Sequence, residues 1–310
     1  MDNSAPGARG LSRTQRWRYL AIIVVAALVA GLGAYFLPFL LDLATAETTA
    51  RAQQQAEEAV DREAPPFTAQ VTAERHATYG ADFPDAWMIV LDRVLTADEQ
   101  GRLARIRPGV PEFDRQVWEL LQPLGARLIE IPPLGRGIPV GHAQTFQLRL
   151  FSDRTAALAV KDMRAKVDRC YAPTAQTLVR KVPEGSEALD GIIWNLAGRD
   201  EVPVITDEGG DQGQPYFTRK QINLGNGQSP GGLRVLSVVR AETCEWHIEA
   251  HYEDSAGSHP PVRITNGEKP LVTEAPPSNP RLSFTIRADL TSWACTGEIR
   301  TADCTPRSIP

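Results

Sequence analysis

One uncharged run, YLAIIVVAALVAGLGAYFLPFLL from Tyr19 to Leu41, constrains this chain more than any other feature. A stretch of roughly 20 apolar residues crosses the hydrocarbon core of a bilayer as a helix. Only a helix or a closed barrel satisfies its own backbone there. The run is too long, and apolar on too many sides, for a buried helix of a globular domain. Arg9, Arg13, Arg16 and Arg18 precede it against the lone acid Asp2, and Asp42 and Glu47 come after it. The basic flank stays in the cytoplasm. The reading is a cytoplasmic segment over 1–18, a transmembrane helix over 19–43 with the lipid bilayer as its partner, and an extracytoplasmic remainder. A second reading stays open. Ala44-Thr45-Ala46 matches an A-x-A cleavage site, which would release a secreted chain near Ala46. A signal peptide's apolar region is shorter, however, at about 7–15 residues. Both readings export the bulk of the protein. Ala26, Ala30 and Ala34 have the small-xxx-small spacing that lets two membrane helices approach, so a homodimer through this helix is possible. Pro38 would kink its outer end.

Charge narrows the partners. The net charge is -5, and residues 1–18 carry +3, so the remainder carries -8. An acidic exported domain is a poor nucleic-acid binder, because phosphate contacts need a basic face. The four cysteines, Cys170, Cys244, Cys295 and Cys304, contain no C-x-x-C pair, which argues against a zinc knuckle or a thioredoxin-like redox motif. An even set in an exported protein is expected to be bridged.

Residues 44–66 are good helix formers with few large apolar side chains and end at Pro65-Pro66. They read as a helical stalk or linker. Residues 67–135 read as a mixed α/β segment packing on a β-sandwich formed by the rest of the chain. Within it, AWMIVLDRVL and GARLIEI are strand candidates. TADEQGRLARI opens with a capping Thr96 and with Asp98 and Glu99 in the first turn. PEFDRQVWELLQPL places Pro111 in a first turn and Phe113, Val117, Leu120 and Leu121 on one helical face.

From residue 136 the period becomes two. TFQLRLF sets Phe146, Leu148 and Leu150 against Gln147 and Arg149, and LSFTIRA alternates in the same way. AALAVKDMRAKV is ambiguous. Its neighbours and Asp162 in mid-run favour a strand with a bulge over a helix. GIIWNLA, YFTRKQINL, GLRVLSVVRA and PVRITN add further strands, separated by clusters such as VPEGSE and GNGQSPGG. The fold class is therefore mainly β, with α+β character on the N-terminal side: an antiparallel, immunoglobulin-like β-sandwich over 136–305, then a tail over 306–310.

TCEWHIEAHYED, Thr243 to Asp254, contains the spacing H-x-E-x-H in His247, Glu249 and His251, the weak candidates for a metal site. On a strand, Cys244, Trp246, Ile248 and Ala250 share the core face, and Glu245, His247, Glu249 and His251 share the solvated one. Residues four apart on a strand are about 13 Å apart. One zinc ion needs ligand atoms about 2 Å away, so His247 and His251 would not share it. Asp207, Glu208 and Asp211 sit in an acidic loop without the EF-hand order. No catalytic motif and no cofactor-binding fingerprint is present.

The successive segments VKDMRAKVDRC, PYFTRKQINL, CEWHIEAHYEDSAG and VRITNGEKPLVT resemble the exported domains of uncharacterised, single-pass, membrane-anchored proteins of high-GC Gram-positive bacteria. Cys170 with Pro173 matches that family's Cys-x-x-Pro strand end, and Cys244 with Trp246 its C-x-W strand. Its last G-x-P-F motif is kept in part, as Gly267, Pro270 and Leu271, with Glu268 and Lys269 inserted. The likeness spans Phe146 to Thr273. It implies a fold and no activity, because its shared residues are core side chains and cysteines.

Four cysteines allow three pairings. Cys295 and Cys304 are close in sequence, with Gly297 between them to turn the chain. Cys170 ends one strand, and Cys244 begins another on its apolar face, as in sandwiches that tie two strands across the core. The expected pairs are Cys170–Cys244 and Cys295–Cys304. The leading functional reading is a membrane-anchored ectodomain that binds, scaffolds or interacts with the envelope. The alternative is an exported metal-dependent hydrolase using His247, Glu249 or His251. A stalked sensor would have to signal through a partner helix, because residues 1–18 leave no room for an output domain.

Overall fold

A computed structural model describes residues 65–73, 86–132, 137–181, 191–198, 201–206, 210–286, 292–302 and 304–306. Residues 1–64, which the sequence reads as a cytoplasmic segment, a membrane helix and a stalk, and the loop residues Asp207 and Glu208 lie outside them. Among the described residues no helix is long and apolar enough to cross a membrane.

The described chain is mainly β and forms two sheets. Its strands are β1 (Thr68–Ala73), β2 (Trp87–Leu91), β3 (Arg127–Glu130), β4 (His142–Phe151), β5 (Leu158–Tyr171), β6 (Thr177–Lys181), β7 (Ile192–Asn195), β8 (Val204–Ile205), β9 (Ile222–Leu224), β10 (Gly231–Val239), β11 (Thr243–Asp254), β12 (Gly257–Ser258), β13 (Val262–Ile264), β14 (Leu271–Thr273), β15 (Leu282–Ile286), β16 (Trp293–Gly297) and β17 (Thr305–Pro306). The larger sheet runs β17-β16-β15-β6-β2-β3-β4-β10-β7-β8, with β1 also on β4. The smaller runs β12-β11-β5-β9, with β13 and β14 also on β11.

This topology corrects two expectations. The larger sheet is mixed: β10 with β7, β15 with β6 and β16 with β17 are parallel pairs. Period-two alternation specifies a strand and its faces, but not the direction of its neighbour. Residues 67–135 are also no appendage to a sandwich that begins at 136. Their strands β2 and β3 lie in the middle of the larger sheet, between β6 and β4.

The helices form where their caps and periodicity place them. Helix α1 (Ala97–Arg105) begins at Thr96, whose hydroxyl accepts from the Glu99 N–H at 3.3 Å. The Glu99 carboxylate accepts from the Thr96 N–H at 2.8 Å, which completes a capping box. Helix α2 (Phe113–Leu121) buries Phe113, Val117 and Leu121. Its N-cap is Glu112, so Pro111 precedes the helix instead of sitting in its first turn. YFTRKQINL is only partly a strand. Tyr216–Thr218 is a 3-10 turn, and the strand starts at Ile222. The ambiguous segment is a strand: β5 pairs along β11 with Lys161 and Asp168 left out of register as bulges.

Each sheet face finds a different cover. Trp87 opposes Glu130, and Glu130 opposes Ala143, so these three share one face of the larger sheet. On that face, Trp87, Ile89, Val179, Phe284 and Trp293 pack with Leu103 of α1 and with Phe113, Val117 and Leu121 of α2. Phe146, Leu148 and Leu150 of β4 have the other parity and point to the opposite face. There they join Trp194 and Val235 of the same sheet to Val160, Met163, Trp246, Ile248 and Ala250 of the smaller sheet. One half of the larger sheet is thus a helix-covered layer, and the other half is one wall of a sandwich. The Trp246 indole sits at the centre of the second core, with ring centroids 5.7 Å from Trp194 and 6.1 Å from Phe146. Its N–H donates to Thr273 Oγ1 at 2.9 Å, and Thr273 shares a 2.6 Å hydrogen bond with Ser237 of the facing sheet. A buried polar chain therefore crosses the core fully partnered, as such groups must be.

Both disulfides form between the cysteines that the sequence pairs, Cys170–Cys244 and Cys295–Cys304. The first has a different architecture from the one expected. Cys170 and Cys244 are directly opposed on neighbouring strands of one sheet, with Cα atoms 4.1 Å apart, instead of joining two sheets. That short separation marks a non-hydrogen-bonded pair. The second closes a local loop, as Gly297 suggested. Gly297 has φ 91°, and a Cβ there would collide with the Arg281 carbonyl.

Candidate functional site

The polar face of β11 is built from its cross-strand pairs. Glu245 opposes Arg169, His247 opposes Lys166, Glu249 opposes Arg164 and His251 opposes Asp162 on β5. On the other side Glu249 opposes Arg263 of β13. The alternation that sends Trp246, Ile248 and Ala250 into the core sends these charges outward. Opposite charges face one another, an arrangement that favours this register.

One ion pair follows the register, and the others reach along the strand or beyond it. Arg169 donates to both Glu245 oxygens, at 2.7 and 2.8 Å. This pair holds the Glu245 carboxyl below its ordinary value and raises the Arg169 guanidinium. Lys166 donates to Glu201 at 2.6 Å and lowers that carboxyl too. Arg164 donates to Asp162 at 2.7 Å. Asp168, the bulge residue, turns toward His247, with its carboxylate 3.0 Å from Nδ1, and it also faces Arg263 at 3.4 Å. The His247–Asp168 contact is close but lacks the alignment of a hydrogen bond.

The solvated-face expectation holds for only part of the set. Glu245, Glu249 and His251 are half-buried, whereas His247 is buried, with 8% of its surface exposed. β11 is flanked by β5 on one edge and by β12, β13 and β14 on the other. Asp168 of β5 comes to 3.0 Å from His247 at its middle. A strand pattern does not report how many neighbours the strand has.

The three weak metal candidates are not brought together. His247 faces Asp168 and lies 3.9 Å from Glu249, while His251 opposes Asp162 further along the strand. Among the described residues no group of three or more His, Cys, Asp or Glu side chains stands in an arrangement that could hold a metal ion. What the face presents is a lattice of charges matched across three strands.

A second buried polar centre was not visible in the sequence. The Asp254 carboxylate, side chain 5% exposed, lies 2.8 Å from His259 Nε2 and 3.6 Å from Arg154 Nη1. His259 stacks on Tyr252 at 5.0 Å, 10° from parallel. Asp254 also accepts from the Ala256 N–H at 2.8 Å, which tightens the β11–β12 turn. This cluster anchors a hairpin end.

The concave feature lies at the opposite end of β11. A cleft of about 640 Å³ opens along the edge of β5 from Ala165 to Cys170. Leu196, Ala197 and Glu201 form one rim, and the Val239–Glu242 turn forms the other. The Ala165 N–H donates to the Glu201 carbonyl at 2.9 Å at the head of the cleft. β9 pairs with β5 only at Leu158–Val160. Among the described residues no strand pairs with 166–171 on the edge away from β11. Both Cys170 and Cys244 line this cleft. The strand readings of β5 and β11, with a cysteine at an end of each, predicted the bridge. The cleft needs the gap between two sheet ends, which no local pattern encodes.

No protein-family model matches the chain, and no curated protein matches it significantly.

Proposed function

We propose that the protein is a single-pass, N-in membrane protein whose exported β-rich domain binds or scaffolds a partner at the cell envelope. The observation that carries this reading is a pair of fully formed disulfides in a chain that also contains the uncharged run Tyr19–Leu41 behind an arginine-rich flank. Disulfides persist in oxidising, extracytoplasmic compartments. The arginine asymmetry sets the same side of the membrane for everything after the run. The resemblance to exported domains of membrane-anchored proteins from high-GC Gram-positive bacteria supports the same placement. Ala26, Ala30 and Ala34 would let two anchors pair.

The immunoglobulin-like form of the sandwich is not retained in this proposal. A buried tryptophan beside a disulfide is kept, in Trp246 and Cys170–Cys244. The bridge lies within one sheet, however, and three strand pairs run parallel. Binding is preferred to hydrolysis because Glu245 and His247 face cross-strand partners, Arg169 and Asp168, and His251 lies further along the strand from His247 and Glu249.

Protease added to intact protoplasts tests the placement. Digestion of the β domain, with residues 1–18 protected and retained in the mature chain, is the expected result. A mature chain starting at Glu47 would replace the anchor by a cleaved signal peptide. Full protection of the domain would overturn export altogether.

A further inference from the structure

The two disulfides stand in opposite environments. Cys295 and Cys304 are 0% and 4% exposed and belong to the core beneath the helices. Cys170 is exposed, and its partner Cys244 is 3% exposed, at the wall of the 640 Å³ cleft. Thiol–disulfide exchange requires a thiolate to reach one sulfur of the bridge, so access decides which bridge reacts. The cleft supplies access to Cys170 from the side of β5 that no described strand covers. The cleft wall carries both signs of charge, Lys166, Arg169 and Arg240 against Asp168, Glu201 and Glu242, so access and not local charge distinguishes this bridge.

We propose that Cys170–Cys244 is a thiol-exchange site, reduced through the cleft by an external dithiol while Cys295–Cys304 stays closed. In the first step one thiolate of the dithiol bonds to Cys170 Sγ. The Cys170–Cys244 bond breaks, and Cys244 leaves as a thiolate that takes a proton from cleft water. In the second step the remaining thiol of the donor, as its thiolate, displaces Cys170 Sγ. Cys170 is then protonated, and the donor departs as its own disulfide. Two electrons pass from the dithiol to the protein, and no further reactant is needed.

The placement gives the reaction a structural consequence. Cys170 is the second-last residue of β5 and Cys244 the second of β11, so the bridge clasps one end of their ladder. Opening it frees the strand end 166–171, which among the described residues is paired on one side only. The inference does not rest on the envelope placement, because the chemistry needs only the fold and a dithiol.

The test is graded dithiothreitol on the folded full-length protein in detergent, with alkylation and peptide mapping, while near-ultraviolet circular dichroism follows the tryptophans. Cys170 and Cys244 should be half-labelled at a dithiothreitol concentration at least about tenfold below that for Cys295 and Cys304, with the tryptophan signal intact. A monothiol, glutathione, should leave its adduct on Cys170. Ala241→Trp, which fills the cleft mouth from an exposed position, should slow reduction of Cys170–Cys244 by about fivefold or more without affecting the other bridge. Simultaneous opening of both bridges would overturn the proposal, as would opening only with loss of the tryptophan signal, an adduct on Cys244, or an Ala241→Trp rate equal to the parent.

Discussion

The two halves of the larger sheet are held by different means. Under the helices, apolar packing is supplemented by side chains that bond to backbone far away in sequence. Gln100, fully buried on α1, donates to the Leu95 and Glu298 carbonyls at 2.9 and 3.1 Å and accepts from the Arg300 N–H at 2.7 Å. It fastens the helix to the loop closed by Cys295–Cys304. In the sandwich half, the core is a cluster of aromatics around Trp246 with one short buried polar chain, Trp246–Thr273–Ser237, and most of the charges lie on its outer face. A buried polar side chain with every hydrogen bond made is costly to disturb, whereas exposed ion pairs contribute little each. The helix-covered half should therefore be the more sensitive to single polar substitutions and to acid, and the sandwich half to loss of its long bridge.

The largest expected effect tests the bridges against one another. The chain-entropy model assigns about 4.5 kcal/mol to the roughly 75-residue loop closed by Cys170–Cys244 and about 2.7 kcal/mol to the roughly ten-residue loop closed by Cys295–Cys304. Urea unfolding of the Cys170→Ser/Cys244→Ser and Cys295→Ser/Cys304→Ser pairs should rank in that order. The reverse order would mean that burying two hydroxyls in the helix-covered core outweighs loop entropy.

Next in size is Gln100→Leu, which leaves two carbonyls and one N–H without their partner. A loss of about 2–3 kcal/mol is expected by thermal unfolding. A loss below about 0.5 kcal/mol would show that water replaces the amide and that the two halves differ less than their contacts imply.

Acid should separate the halves as well. Arg93 donates to both Glu99 oxygens at 2.8 Å, and with the Thr96 contacts it holds the Glu99 carboxyl at about 2, against an ordinary 4.5. A folded-state value depressed in this way contributes stability that is fully present above about 4.5 and lost as pH falls toward about 2. Glu99→Gln should remove that slope between pH 4.5 and 2. Glu245→Gln on the sandwich face should remove a smaller slope, because the Arg169 side of that pair is 69% exposed and screened by water. Equal slopes for the two variants would break the comparison.

The smallest effect lies within one strand. His247→Ala should cost about 1 kcal/mol, since it exposes Asp168 and Arg263 to new partners and empties a buried site. His251→Ala, half-buried at the same face, should stay within about 0.5 kcal/mol. Equal values would return both residues to the solvated face that alternation alone suggests.

What was readable from residue order is what local physics controls. Thr96 with Glu99 marks a helix start because the capping box closes over three residues. The segment Leu158–Tyr171 was legible only in part: with Val160 and Val167 its only β-branched residues, its neighbours and Asp162 favoured a strand, and pairing along β11 makes it one. Trp246 and Ile248 were assignable to the core and Glu245 and Glu249 to the outer face from period two alone. Even the cysteine pairs were legible, from strand ends and a short loop.

Tertiary structure decided the rest, because those properties depend on neighbours distant along the chain. β2 at 87–91 chooses β6 at 177–181, and β15 runs parallel to β6, through contacts that no short window contains. His247 is buried beside Asp168, a bulge residue of the neighbouring strand β5, and Glu249 of its own strand. Cys170 and Cys244 meet side by side on one sheet instead of across two, since the register of β5 on β11 brings them opposite. The same register leaves Cys170 at an uncovered edge while Cys295 disappears under two helices. Residue order made both bridges possible. Only the packing of layers, which removes water from one and leaves it at the other, made them chemically different.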